Sequence, residues 1–225
     1  MKTVLFPMLA VVMGLSACAG GGPDVMRADR TLLTLATQGN GDAGPAAPQV
    51  FMSQYDIEDI RISVPNKLKV SEANMFYPVA DIVWRGEPAG NRHAQVMSIF
   101  KEAMDRGTYT MNTGRKVVMD IEVARFHSVT EKTRYTVGGT HSMRFILTVR
   151  DAQTGEVLDG PRLVAADAKA AGGAQAVAEE QMGRSQRVVV VERLASAIRA
   201  ELSARVTDPM LISQALAKPS DMSLR

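Results

Sequence analysis

At 225 residues, the chain has room for one hydrophobic core of ordinary size and too little left over for a second. Hydrophobic residues make up 46% and charged residues 22%, proportions of a chain that folds in water, while 26 Lys and Arg against 24 Asp and Glu give no electrostatic reason to expect nucleic acid as a partner. A single cysteine excludes an internal disulfide and any multi-cysteine metal site.

That cysteine is explained by the first element of the chain. Lys2 precedes an apolar run from Val4 to Gly14, about 11 residues, which is the length of a signal-peptide core and too short for a membrane span of about 20. The run ends in Leu15-Ser16-Ala17-Cys18, which resembles the bacterial lipobox: a branched apolar residue, two small residues, then the thiol that is acylated. Cleavage is therefore expected between Ala17 and Cys18, and lipidation at Cys18. Each buried methylene contributes about 0.8 kcal/mol, so several acyl chains on one residue give effectively permanent membrane residence. Similarity to known lipoprotein sorting, with Ala19 rather than Asp after the cysteine, implies the outer membrane, facing the periplasm.

Residues 18–54 are rich in Gly, Pro, Ala, Asp and Thr and bury too little apolar surface to offset ordering entropy, so a flexible tether is expected, with a reach of roughly 30 to 36 Å. Thr31 to Ala36 interrupts it with a segment suited to a short helix or to packing on the domain.

Ile60, Ile62 and Val64 alternate with polar residues as in a half-buried strand, closed by Pro65-Asn66. After Met75-Phe76-Tyr77-Pro78, the segment Ala80–Arg85 reads as a short extended piece. Asn91 then caps a helix with Val96, Ile99, Phe100, Ala103 and Met104 on one face and Gly107 as its stop. Two long strands follow, about 116–130 and 140–151, the first with Phe126 out of phase as after a bulge. Asp151–Glu156 carries the residues of a hairpin turn into a strand at about 157–168. Val188, Val191, Leu194, Ala195, Ile198 and Leu202 form the stripe of a final helix reaching about Val206, broken by Asp208-Pro209.

The order strand-helix-strand-strand-strand-helix gives an α+β fold: an antiparallel sheet of about four strands with two helices packed on one face. The expected division is a signal peptide at 1–17, a lipidated N-terminus and tether at 18–54, the domain at 55–206 and a tail at 207–225.

Catalytic chemistry finds little support, and no catalytic or metal-binding residue and no cofactor is expected. His93, His127 and His141 lack metal-ligand spacing, although His127 and His141 stand where a hairpin brings them near each other. Asp120 and Glu122 share a strand face, which is also how the solvated side of an antiparallel sheet reads. Gly138-Gly139 and Gly172-Gly173 lack the residues of a phosphate cradle and read as turns. Met97, Met104, Met119 and Met143 stand at core-facing positions. The segment with the residue types of a recognition hot spot is Tyr77-Pro78 with Asp81, Trp84 and Arg85, a candidate for partner binding.

Tyr135-Thr136-Val137-Gly138-Gly139-Thr140-His141, the Asp151–Gly155 turn and Asp81–Arg85 resemble an uncharacterised family of bacterial lipoproteins over about residues 55 to 206. More distantly, the element order behind a lipobox is similar to envelope accessory lipoproteins that assist transport or assembly of outer-membrane material. The permanent anchor, the long tether and the lack of catalytic constellations lead to the expectation of a non-catalytic accessory or scaffold that is anchored through Cys18 and engages an envelope protein complex. The alternative is a module that binds a small lipid, glycan or peptidoglycan fragment between sheet and helices.

Overall fold

The computed structural model describes residues 51–205; Ala17, Cys18, most of the expected tether and the expected tail lie outside them. Strands β1 (Phe51–Ser53), β2 (Tyr55–Ser63) and β3 (Ile82–Val83) precede helix α1 (Arg92–Thr108) and strand β4 (Arg115–His127). A single turn, α2 (Glu131–Arg134), leads to β5 (Gly139–Asp151), β6 (Val157–Ala165) and β7 (Ala168–Ala170), and then come helices α3 (Gly173–Gln181) and α4 (Gln186–Leu202) and strand β8 (Ser203–Arg205).

The main sheet has the order β2-β4-β5-β6, with β3 pairing β4 and β7 pairing β5. The α+β class is as expected, but the sheet has six strands and is mixed: β2 and β3 run parallel to β4, while β4, β5 and β6 alternate antiparallel. The reason lies in the connection. Helix α1 carries the chain back along the sheet before β4 begins, and a helical return of this kind makes the flanking strands parallel. A second correction concerns the domain edges. Phe51–Ser53, inside the expected tether, pairs with Ser203–Arg205, where the last helix had been expected to continue.

Local signals explain most of the elements. Asn91 Oδ1 accepts from Ala94 N at 3.1 Å and starts α1, whose Val96, Ile99, Phe100, Ala103 and Met104 are all buried. The register shifts between Val123 and Arg125, so Val123 and Phe126 both face the core although they are three apart. Asp151 Oδ1 accepts from Gln153 N and Thr154 N at 2.9 and 2.8 Å and shapes the β5–β6 hairpin, in which Gly155 takes φ +73°.

Both long helices lie on one face of the sheet. Their stripes meet Val117, Met119, Ile121, Val123, Met143, Phe145, Leu147 and Val149 in one cluster. Gly107 does not stop α1: it lies within the helix, and a Cβ there would run into Ile198 and come 2.8 Å from the Ala195 carbonyl of α4. The stop is supplied instead from α4, where Arg199 donates to the carbonyls of Gly107 and Arg106 at 3.2 and 3.0 Å. Met104, Met119 and Met143 are core residues as expected, whereas Met97 sits on the flank of α1 and is exposed.

Candidate functional site

The far end of the sheet, where β3 meets β4, carries an exposed aromatic segment. Phe76 is 53% exposed, Tyr77 64% and Val79 95%, with Met75 beside them, yet the backbone of this loop is fixed at several points. Thr130 and Thr133 donate their hydroxyls to the carbonyls of Met75 and Phe76 at 2.8 and 2.9 Å, and Asn74 Oδ1 accepts from Lys132 N at 2.8 Å. Thr130 also caps α2, so this short helical turn is the platform that grips the loop. Lys132 Nζ lies 4.5 Å from the centre of the Phe76 ring. On the other side, Tyr77 stacks on His127 with ring centres 4.7 Å apart, and its hydroxyl accepts from Arg125 Nη2 at 2.8 Å.

His127 Nε2 lies 2.9 Å from the Pro78 carbonyl; a carbonyl only accepts, so Nε2 carries the proton and donates. His127 and His141 do not meet. In the ladder His127 faces Ser142, so its neighbour His141 projects from the opposite side of the sheet. There Ser128 Oγ donates to Gln186 Oε1 at 3.0 Å, and because a hydroxyl has one hydrogen, His141 Nδ1 at 2.7 Å must donate to Ser128. Burial, and then the charge of Arg134, push the His141 pKa down to about 4, so the ring is neutral at pH 7.

An ion cluster in which Arg92 is buried and its partners are partly exposed fixes the base of the loop. Arg92, at the start of α1 and almost fully covered, donates to Glu72 Oε1 and Oε2 at 2.6 and 2.9 Å and to the carbonyls of Glu87 and Pro88. Arg85 donates to both oxygens of Glu131 at 3.0 and 2.8 Å and to Glu72 Oε2 at 2.9 Å. Hydrogen bonding to Arg92 holds the Glu72 carboxyl below its ordinary range, and Arg85 does the same for Glu131. Glu72 thereby joins the segment leading into the loop to α1, and through Arg85 to α2.

The four residues singled out in the sequence therefore have different places. Tyr77 belongs to the exposed loop. Arg85 belongs to the ion cluster beneath it. Asp81 accepts from Lys69 N at 2.9 Å and fixes the chain entering β3. Trp84 is 0% exposed, with its ring edge-on to Phe126 at 5.5 Å. Phe76 and Val79 were missed because one exposed apolar residue in a sequence looks like any other. Glu72, Arg92 and Glu131 were missed because they pair over 13 to 46 positions, with no local pattern.

The carboxylates on the open face of β4 are occupied by cations: Asp120 accepts from Arg150 Nε at 2.7 Å, and Glu122 lies 3.8 Å from Lys67 Nζ. No group of three or more His, Cys, Asp or Glu suited to a metal is present among the described residues. None of the described helices is long and apolar enough to cross a membrane.

No curated protein matches the chain. A solved structure of a candidate lipoprotein from Caulobacter crescentus CB15 is similar at 14% identity, covering 70% of this chain and 92% of that one, with a TM-score of 0.27, too low to carry an argument about fold or role. The profile of the family of unknown function DUF6778 matches residues 55–217, a span that takes in the sheet, both long helices and the clamped loop, and the chain belongs to that family.

Proposed function

We propose that the protein is a non-catalytic accessory or scaffold of the bacterial envelope, anchored by lipid on Cys18 in the outer membrane and holding a partner protein in the periplasm on the Met75–Val79 loop. The observation that carries this reading is the placement of the loop relative to the point where the anchored segment joins the fold. That segment enters at Phe51–Tyr55, and Tyr55 pairs with Arg115 at the first end of β4. The loop packs on Arg125 and His127 at the last end, roughly 35 Å away at about 3.3 Å per residue. A domain tethered at one pole has its aromatic loop at the other, clear of the point of attachment. Exposed apolar side chains on a backbone fixed by hydrogen bonds lose little entropy on binding, which favours recognition.

The lipid, glycan or peptidoglycan reading asked for an apolar space near Trp84, and the packing of that ring against Phe126 gives it no support. The test is photo-crosslinking in cells from positions 76 and 79, with a probe at exposed position 154 in the β5–β6 turn as control. A defined envelope protein captured from 76 and 79 but not from 154 is the expected result. Equal capture of abundant bystanders from all three would overturn the proposal.

A further inference from the structure

A second surface lies at the opposite pole, between the edge strand β2 and the flank of α1. It is a cleft of about 660 Å3. Ile57, Ile60, Ile62 and Met111 form its floor, Met97 and Tyr109 stand exposed at its side, and its charged lining is Asp56, Glu58, Asp59 and Asp105 against Lys101 alone. Glu58 and Asp59 pair with Lys116 and Arg61, whereas Asp56, which lies near the Lys116 charge, and Asp105 form no ion pair within 4 Å among the described residues.

The edge of β2 facing this cleft is open for pairing. Its first part already accepts an extended segment: Ile57 N donates to the Met111 carbonyl at 3.1 Å, and Asp56 bridges Asn112 antiparallel. Beyond Ile57 no backbone partner continues along this edge among the described residues. The Ile60 N–H goes to the Asp59 carboxylate at 2.9 Å rather than to β4, and by the alternation of a ladder the Ile62 N–H shares its outward direction. The other edge of the sheet, β6, carries Pro161, which has no N–H to offer, so the two edges are not equivalent.

We infer that this edge binds an extended basic peptide segment of another protein, which pairs antiparallel with Ile60–Ile62, lays alternate apolar side chains on the isoleucine floor and places Lys or Arg against Asp56 and Asp105. The Asp59 carboxylate keeps the Ile60 donor satisfied until a peptide carbonyl replaces it. Edge pairing supplies affinity through the main chain, and the acidic rim selects the sign of charge. The inference is independent of the aromatic loop, which lies at the other end of the sheet.

The test uses the full lipidated chain in phosphatidylcholine nanodiscs, a nine-residue peptide of alternating lysine and valine, and its glutamate-valine counterpart, with hydrogen exchange as readout. The lysine peptide should slow exchange at Ile60 and Ile62 by about tenfold, and the glutamate peptide should leave it unchanged. Asp56→Asn with Asp105→Asn should weaken lysine-peptide binding roughly fivefold. Ile62→Pro should abolish it while α1 keeps its exchange pattern; if that variant does not fold, the paired asparagine variant still decides. Phe76→Ser with Val79→Ser should bind the peptide normally. Equal action of both peptides, protection elsewhere only, or slow exchange at Ile60 and Ile62 before any peptide is added would each overturn the inference, the last by showing the edge already covered by another part of the chain or a second copy.

Discussion

His141 ties one side chain to the pH response of the whole fold. Its folded pKa of about 4 lies below the ordinary value of 6.5, so the folded state binds fewer protons than the unfolded chain between these limits. Stability is complete above pH 6.5, falls as pH drops toward 4 and loses at most about 3 kcal/mol by this route. Urea unfolding between pH 4 and 7 should show that slope, and His141→Gln should flatten it; an unchanged slope would assign it to other groups. At Asp151, hydrogen bonds from Thr154 N, then Arg115, then Gln153 N, hold the carboxyl down to about 2. Its contribution is present above the unfolded value of 3.8 and is lost as pH falls through 2, so acid should loosen the β5–β6 hairpin later than it charges His141. Hydrogen exchange in that hairpin measured down the same series tests the order. Arg92→Ala leaves Glu72 with Arg85 as its remaining partner and takes the Arg92 donor from the Glu87 and Pro88 carbonyls, and should cost on the order of 2 to 3 kcal/mol in urea unfolding.

At the scale of elements, the contact between α1 and α4 reverses an ordinary expectation. Replacing a helical glycine by alanine generally stabilises by about 1 kcal/mol. Here the added Cβ meets Ile198 and the Ala195 carbonyl, so Gly107→Ala should instead destabilise by roughly 1 to 3 kcal/mol by thermal unfolding. A stabilised variant would mean that the two helices separate more easily than their packing implies. The bulge in β4 has a similar status. It returns Phe126 to the core, where its ring meets Trp84 at 5.5 Å and Phe100 at 6.2 Å, and Phe126→Ala should cost about 3 to 5 kcal/mol. The strand periods, the bulge, the Asn91 cap and the hairpin were legible because each is written within a few neighbouring residues. Helix α3 was not, since only Ala176 is buried in it and no apolar stripe marks its faces.

At the scale of the molecule, the two surfaces lie on different parts of the sheet: a clamped aromatic loop where β4 finishes and an open strand edge along Ile60–Ile62 of β2, above an acidic cleft. Stability and recognition are separable at the loop, because Phe76 and Val79 lie outside the core while Glu72, Arg85 and Arg92 hold the base. Phe76→Ser with Val79→Ser should leave the unfolding free energy within about 0.5 kcal/mol of the parent and still remove partner capture from the loop. A large drop in stability would make the loop part of the core instead.

Several features follow from the sequence by itself: the α+β class, the faces of both long helices, the alternation in β5 and the expected anchor at Cys18. Each depends on period, spacing or a short motif, which are local properties of a chain. Tertiary structure decided the parallel pairing of β2 with β4, the burial of Trp84, the separation of His127 from His141 and the gathering of Glu72, Arg85, Arg92 and Glu131 under the loop. These depend on which distant segments share space. Burial and ion pairing are set by that neighbourhood, and the order of residues in the chain does not encode it locally.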